Sequence, residues 1–171
     1  MSTGKLNSKV FWILAFVSPS SALADVVLGA TDAEGLQSGT TSISLFVEKP
    51  QADDTAVAGT SITLILGAGA TFDGLMTTGV GINQPPNGFT ACHLVHSQLL
   101  RCTTLTTPGT VFPSGRYVLA NVRLRLSSQP QIVPITLDSA ASECFDTVGF
   151  SVACTFRHGS LTIIGFNNGF E

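Results

Sequence analysis

Tryptophan and tyrosine are almost missing from this sequence: Trp12 and Tyr117 stand alone among 171 residues. Flat rings that stack on a sugar while hydrogen-bonding at their rims are therefore scarce, which weighs against a polysaccharide-binding surface. Positive charge is also thin, with eight Lys and Arg against eleven Asp and Glu and no basic cluster. Nucleic acids and anionic membranes are recognised through clustered Lys and Arg, so neither is expected as a partner. No segment carries a capped amphipathic stripe of helical length.

The usual signatures of catalysis and metal binding are missing as well. There is no G-x-S-x-G elbow, and the glycine-rich stretch at 67–70 lacks the lysine and the strand-to-helix setting of a phosphate loop. His93 and His96 alternate out of phase, so they tend to opposite sides of a strand unless a turn rotates one, and His158 sits in a turn (RHGS). The acidic pairs Asp32 and Glu34, Asp53 and Asp54, and Glu143 and Asp146 fall in loop-like sequence, and none resembles a spaced calcium-binding loop. The four cysteines lack the C-x₂₋₄-C spacing of a thiolate zinc site. These readings predict a protein that is not an enzyme and needs no metal or cofactor.

What is present begins with a leader. Lys5 and Lys9 supply positive charge, Val10 to Val17 (VFWILAFV) is unbroken apolar sequence, and Ser18 to Ala24 (SPSSALA) ends with Ala22 and Ala24 at the A-x-A positions. Residues 1–24 read as a signal peptide cleaved between Ala24 and Asp25. A membrane anchor fits less well, because a helical run this short covers about 12 Å of a hydrocarbon core roughly 30 Å thick. The mature chain is expected to be secreted or periplasmic, with no membrane span. It keeps six basic against eleven acidic residues and is long enough for one domain with a real core.

Cysteine usage agrees with export. Cys92, Cys102, Cys144 and Cys154 form an even set in a chain bound for an oxidising compartment. Three pairings are possible, and the equal spacing of ten in each neighbouring pair favours local hairpins. Residues 90–106 fold back about Ser97 to set Cys92 opposite Cys102, and a similar fold-back about Gly149 sets Cys144 opposite Cys154.

Elsewhere the hydrophobic period is two. Ile43, Leu45 and Val47 share one face of SISLFVE, with Ser44, Phe46 and Glu48 on the other, and Ile62, Leu64 and Leu66 repeat the pattern in SITLIL. In Tyr117 to Leu126, Val118, Ala120, Val122, Leu124 and Leu126 line one side, while Asn121, Arg123 and Arg125 line the other. Val133, Ile135 and Leu137 alternate about Pro134, which points to an edge or a strand start, and Leu161 and Ile163 alternate in the last run. Clusters at 33–40, 49–59, 83–88, 107–115 and 127–131 read as turns. Half-polar strands at this spacing predict an antiparallel β-sandwich over residues 25–164, with a closed barrel as the lesser alternative, and residues 165–171 (GFNNGFE) form a short tail.

The order of these motifs resembles that of cohesin-like modules. It runs from Asp25–Ala30 through a glycine turn to SISLFVE and VAGTSITLIL, and later from PSG (113–115) through VLANVRLRL, VPITLD and a loop with Asp146 and Gly149 to GSLTI. Cohesins share a roughly nine-stranded jelly-roll sandwich with several carbohydrate-binding modules. The sequence departs from them at GAGATFDG (67–74), where a tyrosine and an aspartate often follow the second long strand, and in its cysteine hairpins. A second resemblance, through the G-F-x-x-C and R-C-T-T segments, is to immunoglobulin-like repeats of bacterial surface proteins. The cohesin resemblance implies an adhesion or scaffolding module with a protein partner; dockerin binding does not carry over residue by residue. The alternative on the same sandwich is a carbohydrate-binding module with a platform drawn from Phe46, Phe89, Phe112 and Phe145. For a protein partner, Asn121, Arg123 and Arg125 form a candidate basic stripe, with steps of about 6.6 to 6.8 Å.

Overall fold

The computed structural model describes residues 26–51, 55–78 and 88–165. The expected leader and its expected cleavage site between Ala24 and Asp25, together with Asp53 and Asp54, most of the 83–88 cluster and the residues beyond Gly165, lie outside the described residues. Along the described residues run β1 (Val27–Ala30), β2 (Ala33–Leu36), β3 (Thr40–Lys49), β4 (Gly59–Leu66), β5 (Ala70–Thr78), β6 (Phe89–His96) and β7 (Leu99–Leu105). They are followed by β8 (Gly115–Leu126), β9 (Gln131–Leu137), β10 (Glu143–Phe145), β11 (Ser151–Val152), β12 (Thr155–Arg157) and β13 (Gly159–Ile164).

The strands form two layers. One sheet has the order β12-β1-β3-β8-β5; the other runs β11-β10-β4-β9-β13-β2, with β7 along the opposite side of β4 and β6 outside β7. β4 is thus flanked along its length by β7, and on its other side first by β10 and then by β9. Leu28, Ile43, Leu45, Val47, Val122 and Leu124 of the first sheet meet Ile62, Leu64, Leu100, Val133, Ile135 and Leu161 of the second in one core. Full burial of each such side chain stabilises the fold by about 1.5–3 kcal/mol, which is why the period-two pattern decides which face turns inward.

There are more strands than the roughly nine expected because the chain changes layer in mid-run. β1 pairs with β3 in the first sheet, whereas β2 pairs in parallel with β13 in the second. The crossing at Thr31 and Asp32 is pinned by the Asp32 carboxylate, which accepts hydrogen bonds from the Ser160 N–H (2.7 Å) and hydroxyl (2.9 Å). These bonds hold the Asp32 carboxyl below its ordinary pKa. The 33–40 cluster therefore contains a strand as well as a turn.

Two further local expectations need correction. In β8, Leu119 is an unpaired bulge residue, since Leu45 faces Ala120 and Phe46 faces Val118. An extra residue reverses the parity beyond it, so Tyr117 packs toward the core and Val118 shares the outer face with Phe46. Pro134 lies in an interior strand, because β9 pairs with both β4 and β13. It is tolerated there because β4 pairing stops at Ile135, and beyond it the Pro134 carbonyl accepts the Gly67 N–H at 2.9 Å. The second half of the GAGATFDG segment lies in β5, which pairs with β8.

Candidate recognition face

The outer face of the second sheet is organised by the β6–β7 hairpin. Cys92 and Cys102 stand directly opposite one another in its ladder and are joined as a disulfide, with Cα atoms 4.0 Å apart. This bond and the inward side chains Leu100 and Thr104 fix which residues point out. Across β6, β7, β4 and β10 the register aligns Phe89, Leu105, Gly59 and Phe145 in one row, and Ala91, Thr103, Ser61 and Glu143 in the next. His93 faces Arg101 in the row beyond, and Val95 is bulged, so that His96 faces Leu99 on the same side. The bulge is the rotation that puts both histidines on one face. Among the described residues no three His, Cys, Asp or Glu side chains converge as a metal site.

The first row is the unusual one. Phe89 is 60% exposed and Leu105 40%, although both lie on regular strands. Gly59 lies between Leu105 and Phe145 without a side chain of its own, and Leu105 leans over it so closely that a Cβ there would clash with the Leu105 side chain and crowd the Thr104 carbonyl. A groove of about 430 Å³ results, floored by Gly59 and walled by Leu105 and Phe145, with the Thr106–Gly109 loop at one side and the Asp146–Gly149 turn at the other. Both walls are braced. The Thr106 N–H donates to the Ala58 carbonyl at 2.8 Å, and the Asp146 carboxylate accepts the N–H groups of Val148 (2.9 Å) and Phe150 (2.8 Å). Gly149 takes a positive φ of 88° in that turn, and Val148 and Phe150 project from it 72% and 71% exposed.

The outer face of the first sheet is different in kind. Asn121, Arg123 and Arg125 do share it, but both guanidiniums are bound by Asp73 of β5, Arg125 Nη2 to Oδ1 at 2.7 Å, and the Ser44 hydroxyl donates to Asn121 Oδ1 at 2.6 Å. The Arg123 and Arg125 hydrogen bonds hold the Asp73 carboxyl below the usual carboxylate range. Phe46 is fully buried on this side, beneath the Arg116 guanidinium, and Phe112 is buried in the core, so neither contributes to an exposed platform. The stripe is a satisfied polar face; the uncovered apolar surface lies on the opposite sheet. Nothing in the sequence pattern marks Val148 and Phe150, because their exposure comes from the turn that Asp146 holds.

The second cysteine pair behaves differently from the first. The β10–β11 ladder sets Cys144 opposite Val152, not Cys154, because the hairpin reverses around Val148. Cys154 follows two residues later, and its thiol is in hydrogen-bonding contact with that of Cys144, without a bond between the sulfurs.

The molecule is a β-sandwich with one outer face whose polar groups pair among themselves and one outer face that leaves apolar side chains exposed. The fold is cohesin-like. It superimposes on a non-cellulosomal cohesin from Archaeoglobus fulgidus with a TM-score of 0.63 at 18% identity, over 82% of this chain and 92% of that one. The sixth cohesin of scaffoldin B from Acetivibrio cellulolyticus, solved with a Cel5 dockerin mutant, gives 0.67 at 13% identity, over 82% and 99%. The Coh-OlpC cohesin from Clostridium thermocellum, solved with Doc435, gives 0.63 at 14% identity, over 83% and 95%. No protein-family model and no curated protein matches the sequence.

Proposed function

We propose that this chain is a non-catalytic, exported recognition module of cohesin type that binds a protein partner through the outer face of β6, β7, β4 and β10. The observation that carries this reading is the row Phe89, Leu105, Gly59 and Phe145, in which Phe89 and Leu105 stay open to solvent beside a groove lined by Leu105, Gly59 and Phe145. Exposed aromatic anchors beside a pocket are where protein interfaces concentrate their affinity. The leader and the Cys92–Cys102 bond support export. The solved neighbours with bound dockerins support a protein partner. A sugar partner is less well served, because the exposed rings are phenylalanines without a polar rim.

The test is affinity capture from the envelope and medium of the source organism, run beside a glycan array. The wild type should retain a saturable protein partner that Phe89→Ser with Leu105→Ser loses, and should give no glycan signal. Glycan binding, or capture undiminished in the double variant, would refute this reading.

A further inference from the structure

Cys144 lies in the middle of β10, fully buried, with Thr60 of β4 on one side and Val152 of β11 on the other. Cys154 lies in the short link where the chain leaves β11 in one sheet for β12 in the other, and it is only partly buried. The two thiols touch where the layers meet, directly behind Phe145 and the turn that forms one wall of the groove. We propose that Cys144 and Cys154 are a thiol–disulfide exchange site, closed by an external disulfide oxidant, whose closure ties the groove-wall hairpin to the crossover between the two sheets.

The geometry assigns each sulfur a part. Cys154 is the one an oxidant can reach, so it is the entry point. Its pKa is lowered by the hydrogen bond from the Cys144 thiol, while that bond and burial push Cys144 up, so the reachable sulfur is also the better thiolate. The Cys154 thiolate attacks one sulfur of R–S–S–R and expels one thiolate, leaving a mixed disulfide. Cys144 then gives up its proton and attacks the Cys154 sulfur, expelling the second. The balance is two protein thiols plus R–S–S–R going to one cystine plus two R–SH, with two electrons passing to the oxidant. Cys92 and Cys102, by contrast, face each other within one ladder and are already joined. Their bond locks a single hairpin, whereas the Cys144–Cys154 bond runs diagonally past the end of β11 and spans layers.

The effect on partner binding rests on the recognition-face reading; the exchange chemistry does not, and it is read out without a partner. Mature protein is incubated with oxidised and then reduced glutathione, quenched in acid, alkylated and mapped by mass spectrometry. The expected result is a Cys144–Cys154 cross-link that forms with oxidised glutathione and opens with reduced glutathione while Cys92–Cys102 stays joined. Cys144→Ser should collect a glutathione adduct on Cys154 at least about tenfold faster than Cys154→Ser collects one on Cys144, following sulfur access. Amide exchange at residues 145–152 should slow about tenfold on closure, as expected for a tethered local opening. Two alkylated thiols after oxidation would overturn the proposal, as would a link that opens only when Cys92–Cys102 opens. Should either serine variant fail to fold, mapping of the wild type decides alone.

Discussion

The ring of Phe46 reaches over the α-carbon of Gly29, its directly paired neighbour on β1, while the Arg116 guanidinium carbon sits 3.5 Å from the ring centroid. A Cβ on Gly29 would overlap the ring, so the glycine serves as a socket for a phenylalanine that would otherwise stand on a solvent face. Gly29→Ala should destabilise the protein by about 1–3 kcal/mol through overpacking, read as a lower urea midpoint. Adding Phe46→Leu should recover part of that loss, whereas strictly additive losses would mean the two positions do not share this space.

Asp73 collects both arginines of β8, and its lowered pKa sets the sign of a pH effect. A carboxyl whose folded pKa lies below its unfolded value of about 3.9 contributes stability above that value and loses it as pH falls through the lower folded one. The melting temperature of wild type should therefore exceed that of Asp73→Asn at neutral pH, with the gap closing only below about pH 4. A gap that widens on acidification contradicts the pairing.

Thr60 is buried opposite Cys144 and Thr104, and its hydroxyl has no hydrogen-bond partner among the described residues. Thr60→Val keeps the shape and removes an unsatisfied group whose burial costs about 1–3 kcal/mol. The variant should gain about 1 kcal/mol, raising the urea midpoint by about 0.5 M. A loss would show that a bound water satisfies the hydroxyl.

Phe89 and Phe150 are so exposed that truncating them should leave stability within about 0.5 kcal/mol of wild type. Phe89→Ser with Phe150→Ser should still weaken capture of the proposed protein partner by about tenfold or more, the ordinary weight of an aromatic anchor. Equal losses of stability and capture would assign these rings to the fold instead.

Much of this architecture is legible in the order of the residues. The alternation of SITLIL faces inward as expected, and the fold-back about Ser97 correctly sets Cys92 against Cys102. The failures cluster where one residue alters parity or a chain end alters neighbours. Leu119 and Val95 are bulges, which a two-residue period cannot announce, and Pro134 is tolerated in an interior strand only because β4 pairing stops beside it. The arginines of β8 are visible as a stripe, but the carboxylate that takes both comes from β5, fifty residues earlier.

The class of this fold is written locally: pleated strands with one apolar face each, and cysteines spaced for hairpins. Short-range steric and hydrophobic preferences suffice to express those features. Which outer face stays open is settled only by the packed molecule. Exposure depends on what distant strands place beside a residue, so Asp73 closes one sheet face while Leu105, Gly59 and Phe145 line a groove on the other. The meeting of Cys144 and Cys154 at the crossover between the layers has the same origin, since that junction exists only once both sheets are stacked.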